Sequence, residues 1–236
     1  DRAMTDFRNN LYDVLVTAPI NSQNALMDGY SFKGHKHYIE TCLGEGKKGL
    51  SILVGQSLRI ASVTEKMPLK EVVSQISSER IVEKAILNNE DTSCGNEEKD
   101  IIIPAIDTLA NKGIQAFGPY AADDFFGNGD FHEFDGVMAM YHDQATAPFK
   151  SINDGRGVIY TAGMPIIRTS ADIAPGYEIA GTNSADESSF RNAVYLAIDT
   201  FRNRINYDEA CENPLPKLYH EKRDDSEKVR FAIPKK

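Results

Sequence analysis

An α/β protein with a largely parallel sheet is what this sequence predicts, on three observations. Short continuous apolar runs end at Gly, Pro or charge, helix-like stretches stand between them, and chemistry-capable polar residues follow directly on several of the runs. The runs are "YDVLVTAPI" (12–20), "GLSILVG" (49–55), "RIASVT" (59–64), "IQAFGPY" (114–120) and "DGVMAMY" (135–141), each with the length and composition of a buried strand. Among the helices, "PLKEVVSQI" (68–76) opens on a proline suited to a first turn. "EEKDIIIPAIDTLANKG" (97–113) closes on a glycine, and "DESSFRNAVYLAIDTFRNRI" (186–205) carries apolar residues at helical spacing. The α/β region is expected over 1–205, as one body or as two lobes sharing a cleft, with 206–236 a polar tail.

The 236 residues are 41% hydrophobic and 26% charged, a globular composition with enough apolar material for a core. A formal net charge of −9 argues against a broad cationic surface for nucleic acid or anionic lipid, while leaving room for a local basic pocket. Cys42, Cys94 and Cys211 have no CxxC spacing, so neither a disulfide framework nor a zinc ribbon is expected, and the cytoplasm is the default compartment. No apolar run reaches bilayer-crossing length, and the opening "DRAMTDFRNN" lacks the order of a signal peptide. GKS/T and GxSxG patterns are absent, which removes the P-loop and nucleophile-elbow readings.

Ligands of α/β sheets gather beyond the carboxyl ends of strands, which points to 18–22, 118–123 and 141–150. In "YHDQATAPFK" (141–150), His142 can bind a metal or move a proton, Asp143 can orient it, and Lys150 can pair with a phosphate or carboxylate. A strand-end histidine bonded to backbone is the structural alternative. Four polar side chains in succession after a buried strand need partners, however, and this favours a site. In "FKGHKHYIE" (32–40), Gly34, His35 and Lys36 precede a helix in a composition suited to an anion, or to a solvated cationic turn. "TSADIAPGYEIAG" (169–181) joins Asp172 to a Pro-Gly turn, as a structural turn or as a loop where a ligand meets backbone closely.

Taken in order, "LVTAPIN", "FKGHKHYIE", "EEKDIIIPAI", "GPYAADDFF", "DGVMAMYHDQATAPFK", "GMPIIRTSADIAPGYEIAG" and "DESSFRNAVYLAID" resemble the 4-hydroxythreonine-4-phosphate dehydrogenase family of pyridoxal phosphate biosynthesis. The resemblance implies an isocitrate/isopropylmalate dehydrogenase-like three-layer α/β/α fold and a homodimer with its active site at the subunit interface. It also implies NAD or NADP, and a divalent metal (Zn, Mg or Co). Members oxidise the secondary alcohol of a small phosphorylated hydroxy amino acid, and the β-keto acid formed loses carbon dioxide. By position, His35, Lys36 and Asp123 are expected at the substrate phosphate, and Lys150 and Arg168 on the substrate. Asp172, Ala174, Glu178 and Gly181 are expected at the cofactor, His142 at the metal, and His142, Asp143 and Lys150 in catalysis.

Several positions depart from the family's pattern. Lys66, in "TEKMPL", stands where a first metal histidine belongs, and a protonated ammonium has no lone pair for a cation. The loop carrying a second metal histidine looks shortened, the chain passing from "ERIVEKAILN" straight through "NEDTSCGNEEKD". Lys36 replaces a threonine, Ser22 a lysine, Ile159 an asparagine, and Ile173-Ala174 a His-Gly pair. The chain starts well inside the family's pattern, so N-terminal elements are expected to be missing. Two functions follow: a family dehydrogenase, or a member without metal-dependent catalysis that binds a phosphorylated ligand or regulates. A phosphate-binding transferase leaves "AMYHDQ" unexplained.

Overall fold

The computed structural model describes residues 1–21, 24, 32–84 and 96–214. In chain order these form α1 (Arg2–Arg8), β1 (Val14–Thr17), α2 (His35–Leu43), β2 (Leu50–Val54), β3 (Arg59–Ser62), α3 (Leu69–Val72) and α4 (Ser78–Lys84). A π-helical turn (Glu98–Ile102) leads into α5 (Ile103–Asn111), followed by α6 (Ala122–Asn128), β4 (Val137–Ala139), α7 (His142–Asn153), β5 (Val158–Ala162), β6 (Ile167–Ala171) and α8 (Ser188–Glu212). Two compact units emerge, Asp1–Phe201 and Arg202–Lys236. Within the second, the described residues are the last turns of α8 and two residues beyond, so the expected tail begins as helix.

The α/β class stands, but the sheet is mixed rather than largely parallel. Its order is β1–β6–β5–β2–β3–β4. β1/β6 and β3/β4 are parallel, while β6/β5, β5/β2 and β2/β3 are antiparallel. Connection length decides this for β2/β3 and β5/β6, because a parallel return needs a crossover of about a dozen residues. β2 reaches β3 through residues 55–58, closed by Gly55 N–H donating to Leu58 O at 2.8 Å, and β5 reaches β6 through 163–166.

Alternation along β3 and β4 makes the layers. Ile60, Val137 and Ala139 pack with Phe125 and Phe131 of the α6 region and with Phe149 of α7. Ala61 and Met138 point the other way, onto Ile81, Ile102 and Ala105. Met4, Ile39, Met164 and Ile166 form a third cluster that seats α1 and α2. On β6, Thr169 donates to Ala193 O of α8 at 2.8 Å, so its neighbours Arg168 and Ser170 take the opposite face.

The run 114–120 was expected as a strand and has no strand pairing. Pro119 has no N–H to offer a ladder and Gly118 sits at φ 127°, so the segment runs as an extended loop. Its Tyr120 stacks on Phe125 with centroids 5.1 Å apart. Conversely, β5 and β6 were not expected as strands. "VIYTA" has the β-branched and aromatic content of a strand, but the wholly buried "IRTSA" hides behind an arginine and two hydroxyls that read as surface.

Candidate active site

On the same sheet face as α6 and α7, over the part those helices leave uncovered, lies a cleft of about 450 Å³. Its floor follows from register. Leu53, Ile159 and Ser170 stand side by side across β2, β5 and β6, and Ser51, Thr161 and Arg168 form the next row. Arg168 is 6% exposed. Its Nε and Nη2 donate to Thr17 Oγ1 at 3.1 and 2.7 Å, and Nη1 donates to Thr161 Oγ1 at 3.2 Å. Neutral hydroxyls satisfy the fork without balancing its charge, and no carboxylate among the described residues pairs with it. Burial lowers its pKa to about 10, which leaves it a cation at neutral pH.

One wall is the start of α2. Gly34 holds φ 149°, ψ −178°, a conformation essentially reserved for glycine, and delivers His35 as the first helical residue. Burial first, and the Arg168 guanidinium second, hold the His35 imidazole below its ordinary pKa of 6.5. Lys36 on the next position pairs with Glu65 and lies 3.6 Å from Glu40 Oε1. Lys66, on the loop after β3, also lines the cleft, and no described carboxylate lies within ion-pair distance of it.

The facing wall is the first turn of α7. The extended backbone of Tyr141 breaks from β4 and His142 begins the helix, where Asp143 complements the helix N-terminus. Gln144 Oε1 accepts Met140 N–H at 2.8 Å and ties this turn to the strand end. His142 Nδ1 is 2.7 Å from Asp143 Oδ1, and its Nε2 is 3.4 Å from Thr146 Oγ1. His142 and Thr146 line the cleft, whereas Asp143 is 87% exposed and acts on it only through the imidazole. Two turns on, Lys150 reaches Asp172 Oδ2 at 3.0 Å and ties α7 to the end of β6.

The cleft therefore gathers His35, Lys36, His142, Arg168 and Asp172 of the residues singled out in the sequence. Asp123 is exposed on α6 outside this lining, and Lys150, two turns beyond His142, reaches the cleft through its ion pair with the lining residue Asp172. Ala174, Glu178 and Gly181 lie exposed on the loop after β6, whose Ile173 does line the cleft. Ser22 and the shortened stretch 85–95, with Cys94, lie outside the described residues. Thr17, Thr161 and Glu65 were missed as partners. The available signal was the β-branched and aromatic content of "VIYTA", the strand whose Thr161 pairs with Arg168.

The family model for "Pyridoxal phosphate biosynthetic protein PdxA" matches residues 1–93 and 87–197. The chain belongs to this family. Its two matched segments meet at the stretch that reads as shortened. A 4-hydroxythreonine-4-phosphate dehydrogenase of Bacteroides thetaiotaomicron is 44% identical over 255 aligned positions, covering 98% of this chain and 70% of the relative. That alignment is longer than the chain's 236 residues, so the chain lacks positions internal to it. A second such dehydrogenase, from Sulfurihydrogenibium, is 36% identical over 84% of this chain and 68% of its own length. Among solved structures, the 4-hydroxythreonine-4-phosphate dehydrogenase of Klebsiella pneumoniae superposes with a TM-score of 0.70 at 26% identity, over 83% of this chain and 66% of that one. A putative one from Salmonella typhimurium gives 0.68 at 28% identity, over 83% and 67%. Among the described residues, no helix is long and apolar enough to cross a membrane.

A divalent metal does not fit the donors that line this cleft. Among the described residues no three His, Cys, Asp or Glu side chains come together as a ligand set. The two lining carboxylates each hold a lysine, Glu65 with Lys36 and Asp172 with Lys150. Lys33, Lys36, Lys66 and Arg168 outnumber them, so the lining carries net positive charge in a protein of net charge −9.

Proposed function

We propose that this protein catalyses the nicotinamide-dependent oxidation of the secondary alcohol of 4-hydroxythreonine 4-phosphate, followed by loss of carbon dioxide, in pyridoxal phosphate biosynthesis. The observation that carries the reading is the buried Arg168, a guanidinium with hydroxyl partners only, beneath a helix start that presents His35 and Lys36. In a member of this family, such a cleft suits a small phosphorylated anion.

His35 and Lys36 take the phosphate and Arg168 the remaining anionic part of the substrate. His142 accepts the alcohol proton at Nε2, while Asp143 accepts the hydrogen bond from Nδ1–H and keeps that tautomer. Asp172, Ala174, Glu178 and Gly181 hold the cofactor, NAD or NADP. The loop suits it, since Gly176 and Gly181 at φ 63° and 80° leave backbone open to a ligand and the two carboxylates match ribose hydroxyls. A nicotinamide held there would supply the acceptor for the hydride of the alcohol carbon. Lys150 positions Asp172 through their ion pair. The same reading takes the working unit to be a homodimer in the cytoplasm, with exposed Phe190 and Ile198 on α8 available for a subunit contact.

The test is NADH or NADPH formation from 4-hydroxythreonine 4-phosphate, in the presence of Zn²⁺, Mg²⁺ or Co²⁺ and in their absence. Steady production is expected, and none at high enzyme concentration would reject the reading. The alternative function, a phosphorylated-ligand binding or regulatory protein, is not favoured by the similarity to dehydrogenases. Saturable binding of the substrate by calorimetry without turnover would select it.

A further inference from the structure

We infer that this cleft works without a divalent metal and that the Lys66 ammonium supplies the positive charge at the reacting oxygen. The inference rests on the proposed dehydrogenase reading and deepens it. Oxidation of the alcohol passes through a developing alkoxide, and decarboxylation of the β-keto acid sends the electrons of the breaking C–C bond onto the carbonyl oxygen as carbon dioxide departs. Both steps need a cation at one oxygen. Three observations identify it.

The first is the state of the anionic donors. A hard divalent ion needs several oxygen or imidazole ligands, but Glu65 and Asp172 are each held by a lysine, leaving His142 Nε2 and the half-buried His35. The second is the cleft's own charge: four cationic side chains against two carboxylates repel a further cation and attract a phosphorylated carboxylate. The third is Lys66 itself. Lys36 is engaged by Glu65 and Arg168 by Thr17 and Thr161, and Lys33 stands before α2 on the opposite wall. By contrast, no described carboxylate or hydroxyl bonds the Lys66 ammonium, which shares the cleft lining with His142 and follows Thr64, whose Oγ1 donates to Met140 O at 3.1 Å. His142 takes the proton of the alcohol, Lys66 faces the oxygen that loses it, and the hydride goes to the nicotinamide. After carbon dioxide departs, the His142 imidazolium returns its proton to the enolate, so charge and protons balance without a metal.

The experiment uses the full chain. Purified protein is analysed for bound metal by mass spectrometry and titrated calorimetrically with Zn²⁺, Co²⁺ and Mg²⁺, and turnover is measured with and without EDTA. Substoichiometric metal, no saturable binding dependent on His142, and turnover unchanged by EDTA are expected. Lys66→Met is expected to lower kcat about 100-fold with little change in KM, and Lys66→Arg to recover most of it, because removing one charge-stabilising donor costs about that much. Turnover abolished by EDTA and restored by metal would overturn the inference and leave the dehydrogenase reading intact. If no turnover is found under any condition, the dehydrogenase reading fails instead. The metal titration then still decides the metal-free cleft: stoichiometric binding lost in His142→Ala overturns it, and its absence supports it.

Discussion

At the scale of single residues, Arg168 and His35 form the electrostatic centre of the cleft. Holding a buried guanidinium on hydroxyls alone leaves its charge unneutralised until an anion arrives. The same charge acts on His35, second to burial, in lowering its pKa. Arg168→Met is therefore expected to raise the His35 pKa measured by NMR titration, and to weaken substrate binding by at least tenfold; an unmoved His35 would show that burial alone sets it. Bound phosphate acts oppositely to Arg168, raising the His35 pKa in the wild-type protein. Arg168 and His35 were legible in the sequence as candidates, but only from the motifs around them. That Arg168 lies beside Thr17 and Thr161 depends on a strand pairing 151 residues apart in one case and on an unrecognised strand in the other.

At the scale of elements, the helix starts place the chemistry. α2 begins on His35 because Gly34 adopts a backbone conformation that a side chain strains. Gly34→Ala is expected to cost about 1–3 kcal/mol in chemical denaturation and to weaken phosphate binding by displacing His35, although an added Cβ would meet no atom within 4 Å. The effect is thus one of backbone, not of crowding, and an unchanged denaturation midpoint would refute it. α7 likewise begins on His142, and two turns on its Lys150 pairs with Asp172 at the cleft edge. Helices with caps, proline first turns and apolar spacing were visible in the sequence. Strands 158–162 and 167–171 were not, because buried Thr, Ser and Arg on a polar sheet face mimic surface residues.

At the scale of the whole molecule, His35 links the fold to pH. Its folded pKa lies below the ordinary 6.5, so between those two values the unfolded chain binds more protons. The stability tied to its neutral form is present above about 6.5 and is lost as pH falls toward the folded pKa. Urea midpoints are expected to fall across this window in the wild type and to fall less in His35→Gln; identical slopes would remove His35 as the cause.

The residues alone determined the α/β class, the order of chemistry-bearing motifs and the family, since periodicity and short motifs are local properties of a chain. Tertiary structure decided the mixed sheet, the choice of which cations share the cleft, and the pairing of both cleft carboxylates with lysines. The reason is physical: strand direction follows from what lies beside what, and a charge acquires its role from neighbours that are distant in sequence.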